Sequence, residues 1–145
     1  MKEVYYGWID TIQPLIVERL GSAVFYGDGK GGFSVEDLPA NLQLAPVFAF
    51  QKVNNLPLKK DAYLLGGNFY DVIPYEGRYD AQPVALFTAG KNNAIKYIPQ
   101  ENLSDINGEI RDIKWLNTAR YGRVMVVAVN NQGLLFFTEK NNNDK

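Results

Sequence analysis

The sequence predicts an all-β chain of repeated antiparallel strands behind a short N-terminal helix. Three observations carry that prediction. From residue 22 onward, short apolar runs alternate with turns rich in glycine and asparagine. Two such series follow each other at a constant offset of 62 positions. The 145 residues, 46% hydrophobic and 13% aromatic, suit one domain with its own core and are short for two.

Residues 5–20, YYGWIDTIQPLIVERL, place Trp8, Ile9, Ile12, Leu15, Ile16 and Leu20 at helical spacings around Pro14. Proline has no N–H to donate and marks a break or a helix start, so one or two helical turns are expected. An apolar stripe on so short a helix packs against something, here the edge of a sheet, and residues 1–21 are assigned as a helical cap.

The strands then follow in order. SAVFY (22–26), the turn GDGKGG and FSVED (33–37) read as a hairpin. LPANLQLAP connects to PVFAFQKV (46–53), NNLPLKK turns the chain, and AYLLGGN (62–68) is apolar enough on both faces to lie inside a sheet. After a loop the order returns: VALFT (84–88), AIKYIP (94–99), EIRDIKWL (109–116) and RVMVVAVNN (123–131).

Ala23 and Ala85, Phe25 and Phe87, Phe33 and Ile95, Phe48 and Ile110, and Asn68 and Asn130 are each 62 positions apart, so the copies superpose without a gap. The first copy is assigned to 22–69, the inter-repeat loop to 70–83, the second copy to 84–131, and a closing strand with a polar tail to 132–145. GLLFFTEKNNN (133–143) begins a third copy. Units of four strands at this length read as β-propeller-like antiparallel blades, with one whole blade over roughly 47–99 between two incomplete ones. A propeller closes with at least about four blades, so two blades' worth of strands leave edges that need cover.

Composition narrows the chemistry. Fifteen Lys+Arg against 16 Asp+Glu give a net charge of -1, which offers no electrostatic footprint for nucleic acid. Without cysteine there is no disulfide scaffold, thiolate nucleophile or Cys-ligated metal, and without histidine there is no Ser-His-Asp triad or imidazole-bound metal. MKEVYYGWID lacks the apolar core of a signal peptide, and no run approaches the roughly 18 apolar residues of a membrane helix.

The stretch 64–80, LLGGNFYDVIPYEGRYD, holds the candidate binding residues. Asn68, Tyr70, Tyr75, Arg78, Tyr79 and Asp80 gather aromatic faces, a guanidinium and a carboxylate, the mix by which sugar, peptide and protein surfaces are recognised. The same side chains also serve to pin a long loop onto a sheet. Asn68 and Asn130, each ending the second strand of its copy, are expected to satisfy backbone groups. Asp28 in GDGKGG is a weak metal candidate: one carboxylate beside Lys30 is a poor hard-cation site, and a glycine turn calls for Asp or Asn at positive φ. GDGKGG also lacks the spacing and the Ser/Thr of a phosphate loop and joins two strands.

The segments LPANLQLAPVFAF, LLGGNFYDVIPYEGRYDA, GEIRDI and VVAVNNQGLLFF resemble the C-terminal portion of VCBS/FG-GAP-repeat proteins, over roughly residues 22–138. That resemblance implies a β-propeller-like module of an exported protein, periplasmic or at the cell surface, with a recognition or structural role, a protein or glycan ligand and no chemistry of its own. Family repeats carry a DxDGDG calcium loop between the first two strands of a blade. Here those positions read VNNLPLKKDA (53–62) and LNTARYGR (116–123), nearly free of carboxylates. No cofactor is therefore expected: the resemblance implies calcium in the family, and its loop is degenerate here. Two other readings stay open: a fragment of a carbohydrate-active enzyme using Asp71, Glu76 and Asp80, and an assembly module that forms homo-oligomers through open strand edges or pairs with the remaining blades of a longer chain.

Overall fold

The computed structural model describes residues 12–54, 61–75, 77–90 and 93–138. They form three antiparallel meanders. The first sheet pairs β1 (Ala23–Gly27) with β2 (Phe33–Asp37). The middle sheet runs β3 (Val47–Val53), β4 (Asp61–Gly67), β5 (Ala85–Gly90), β6 (Asn93–Ile98), and the last runs β7 (Ile110–Thr118), β8 (Gly122–Val129), β9 (Leu135–Thr138). Among the described residues the regular structure is almost wholly β, and the sheets do not close into a barrel. The four-stranded sheet covers the stretch read from sequence as the complete unit.

Alternation along each strand decides where the core sits. In β4 and β5, Leu64 and Leu86 face the last sheet and join Ile113, Met125 and Val127 in one apolar layer. Their neighbours Leu65 and Phe87 point the other way, where Leu38, Leu42 and Val24 pack on them. The middle sheet is thus apolar on both faces and lies between the other two, as strands with period-2 alternation of two apolar sets require. Phe87 also meets Tyr63 and Phe50, with ring centroids 5.6 Å and 6.2 Å away.

The repeat survives in the register, with one correction. Phe25 faces Val35 in β1–β2, and Phe87 faces Tyr97 in β5–β6, each partner 62 positions on. Val47 pairs with Gly67 and Ile110 with Val129, so β7 stands 63 positions from β3 while β8 stands 62 from β4. Ile110 therefore matches Val47 and not Phe48, and the superposition is not gapless. Each of these strands carries a bulge at its start, leaving Phe48 unpaired in β3 and Arg111 in β7.

The expected N-terminal helix is corrected over its described part. Residues 12–20 form neither helix nor strand, and Ile12, Leu15, Ile16, Val17 and Leu20 are exposed. Pro14 leaves only six residues before Gly21, too few to offset helix nucleation without a surface to pack on. The segment is held instead by Arg19, which donates to the carboxylate of Asp37. Residues 5–11 lie outside the described residues.

Two glycines allow the close approach of the layers. A Cβ at Gly66 would lie 2.7 Å from Ile110 Cγ2, and one at Gly67 would lie 1.9 Å from the carbonyl oxygen of Pro46. The paired glycines end β4 where β3 and β7 press on it from both sides.

Candidate functional site

The connection from β4 to β5, residues 68–84, leaves the end of the middle sheet and returns to it. Asn68 opens it in the left-handed region, at φ 76, a conformation asparagine tolerates better than most residues. Its side chain is fully buried. Nδ2 donates to Asn107 Oδ1 and to the carbonyl of Gly108, both at 3.0 Å, and Oδ1 accepts from the Gln82 N–H at 2.8 Å. Asn68 is thus engaged with the protein's own groups, as expected from its place, and presents nothing to a ligand. Gln82, also buried, accepts from the Leu44 N–H at 3.2 Å and closes the far end of the loop.

Above this staple the loop carries one rung of ladder. Phe69 and Tyr79 exchange both backbone hydrogen bonds, at 2.8 Å and 3.0 Å. The rung holds Tyr70 and Arg78 side by side, and the Arg78 guanidinium lies 5.1 Å from the Tyr70 ring centre. Arg78 takes this stacked position, and no ion pair joins it to Asp80. The tip beyond the rung turns outward: Tyr75 is 82% exposed, Ile73 and Tyr79 about half, and Asp71, Arg78 and Asp80 face water. Glu76 lies outside the described residues.

The loop's foot rests on a partly buried ion pair absent from the sequence expectations. Glu109 is 4% exposed. Its Oε1 accepts from the Tyr70 N–H at 2.9 Å and from Arg111 Nη2 at 2.8 Å, and Oε2 accepts from Asn130 Nδ2 at 2.7 Å. The Asn130 amide, then the Tyr70 N–H and the Arg111 charge, hold the Glu109 carboxyl below the usual carboxylate value. Arg111 in turn lies 4.5 Å from the ring centre of Phe48, so the two bulge residues stack on each other beneath the loop. A polar residue in the one repeat where the other has Pro46 was the signal in the sequence. Glu109 takes that place, and its carbonyl accepts from the Asn130 N–H as that of Pro46 accepts from the Asn68 N–H.

A second concavity lies between β1 and the middle sheet, a cleft of about 630 Å³ whose floor is Phe50, Tyr63 and Phe87. Among the described residues the outer edge of β1 has no strand beside it. Burial pushes the Tyr26 and Tyr63 hydroxyls up, so both stay protonated donors at neutral pH.

The remaining sequence candidates are local turns. Asp28 Oδ1 accepts from the N–H groups of Lys30 and Gly32, at 2.6 Å and 3.0 Å. The positive φ values fall on Gly29 and Gly31, so Asp28 caps the turn without adopting that conformation itself. In 116–123, Thr118 Oγ1 accepts from the Tyr121 N–H and donates to the Gly122 carbonyl, both at 3.0 Å. The turn at 53–62 falls mostly outside the described residues. No group of three or more His, Cys, Asp or Glu positioned to hold a metal ion occurs among the described residues.

Comparison with protein-family models, curated proteins and solved structures finds no match.

Proposed function

We propose that the chain is a non-catalytic recognition module built of β-propeller-like blades, and that the tip of the 68–84 loop is its binding surface. The observation that supports this most directly is a comparison within the chain. Met125 faces Phe137 in β8–β9 as Tyr63 faces Phe87 in β4–β5. The same strand-to-strand connection therefore takes residues 130–134 in the second copy and 68–84 in the first. The sheet is complete without the longer version. The extra length carries exposed Tyr75, Ile73 and Tyr79 with the Arg78–Tyr70 stack, on a base held by buried hydrogen bonds. Aromatic faces with a planar cation and flanking carboxylates, set on a rigid foot, suit a glycan or peptide surface.

The exported or cell-surface setting follows the VCBS/FG-GAP resemblance alone, and the reading requires no calcium. The test uses the labelled chain on a glycan array and a peptide array. The wild type is expected to bind a defined subset, and Tyr75→Ala with Tyr79→Ala is expected to lose that binding while the unfolding midpoint stays in place. Binding that persists in the double variant would sink the assignment of the tip.

A further inference from the structure

The three sheets stack in one direction, and the two outermost faces are the two halves of a contact the chain makes twice inside itself. In the middle sheet, Phe87 packs toward the first sheet and is 1% exposed, while Leu86 packs toward the last and is 6% exposed. Register assigns their counterparts. Phe25 of β1 corresponds to Phe87, and Phe136 of β9 corresponds to Leu86, since Leu64 faces Leu86 as Val126 faces Phe136. Yet Phe25 is 62% exposed and Phe136 63% exposed. The same side chains that are core in the middle are surface at the ends.

The correspondence extends across both faces. Beside Phe25 on the outer face of the first sheet lie Phe33 and Val35, the counterparts of Ile95 and Tyr97. Beside Phe136 on the outer face of the last sheet lie Val126 and Leu116, and the exposed Leu134 immediately precedes β9. Within the chain, the kind of face that carries Val126 and Phe136 packs against the kind that carries Phe25 and Phe33. It does so once between the first and middle sheets and again between the middle and last. Exposed apolar patches of this kind mark interaction surfaces. Each free face here is the continuation of an interface already present.

We propose that a second copy of this chain covers these faces, with the last sheet of one copy stacked on the first sheet of the next. The contact is head-to-tail, so its two sides differ and it propagates. The rotation per copy decides whether it closes into a ring or runs on as a filament. It stacks sheet faces and leaves strand edges unpaired, which separates it from assembly by edge pairing, and it does not use the loop tip.

The test exploits the two different sides. Light scattering on the wild type is expected to show a mass that rises with concentration above that of one chain. Phe25→Glu and Phe136→Glu each spoil one face and are expected to return the mass to a single chain. Mixed in equal amounts they are expected to form a 1:1 complex of twice that mass, because each keeps the face the other lacks. Both side chains are exposed, so the circular dichroism spectrum should be unchanged. Phe33→Glu with Leu134→Glu repeats the test on the same two faces if either first variant misfolds. A wild type of one-chain mass at every concentration overturns the proposal. So do variants that still assemble alone, and a mixture that stays monomeric.

Discussion

Replacing Asn68 by alanine is expected to remove more stability than any other single truncation in the loop. The side chain makes three hydrogen bonds in a fully buried setting, at 2.8 Å to 3.0 Å. Each contributes about 1 kcal/mol net, and the loss is larger where a buried partner is left unsatisfied, as the Gln82 N–H and the Gly108 carbonyl would be. Alanine would also sit at φ 76, which costs about 1 kcal/mol for a residue with a Cβ and no local hydrogen bond. Together these come to about 4 kcal/mol. In urea, with a slope of about 1.5–2 kcal/mol per molar, the midpoint should fall by about 2 M or more. Asn68→Gly separates the contributions, because glycine accepts the backbone angle and keeps only the hydrogen-bond loss, about 3 kcal/mol. Tryptophan fluorescence and far-ultraviolet circular dichroism read the same transition. A loss below about 1 kcal/mol in the alanine variant, or a neutral glycine variant, would refute the staple as described.

Further outcomes follow from the packing and the buried charge. Gly67→Ala forces a Cβ toward the Pro46 carbonyl oxygen and should cost about 3 kcal/mol; Gly133→Ala, with no atom within 4 Å of its Cβ position, should stay within about 0.5 kcal/mol, and equal effects would contradict the close approach. Phe87→Ala empties the centre of the layer between the first and middle sheets and should cost about 3–5 kcal/mol by chemical denaturation; a loss under about 1 kcal/mol would mean that the layer is not packed as described. Glu109 is held below its ordinary value of 4.5 in the folded chain, so its stabilisation is complete above that value and fades as pH falls through the lower, folded one. Glu109→Gln should therefore lower the unfolding midpoint at pH 7, by about 2 kcal/mol of stability, and the gap to wild type should narrow below pH of about 4; midpoints that stay parallel down to pH 3 would remove the carboxylate from that role.

The strands were legible because each rule that names them is local. FSVED is β2, Phe33–Asp37, residue for residue, and the other eight strands lie within two or three residues of their apolar runs. Alternation and glycine turns suffice there. The helix was misread over its described part, 12–20, because helical spacing of Ile12, Leu15, Ile16 and Leu20 says nothing about whether a surface awaits them. The slip at Phe48 and Arg111 has the same origin. A bulge changes register without changing composition, so matching residues by offset passes over it. Of the loop, the exposed tyrosines could be named from sequence, and the place of Asn68 as a satisfier of backbone groups as well. Its foot was harder to read, because the partners are remote in the chain: Glu109 lies 39 positions from Tyr70 and Gln82 lies 38 from Leu44, and the one sequence signal, a polar residue where the other repeat has Pro46, does not say what it meets.

The closed base of the 68–84 loop bears on how such a chain diversifies. Once Asn68 meets Gln82 and Phe69 meets Tyr79, the ends of the intervening segment are fixed near each other, whatever lies between. Closing a longer segment across a fixed gap costs only about 0.6 kcal/mol for each doubling of its length. The tip is therefore released from the constraints that hold the strands: its composition can be exchanged, lengthened or randomised with the scaffold left intact. The chain comes with its own cassette, bounded by Asn68 and Gln82, where the second repeat joins the matching strands through residues 130–134 alone.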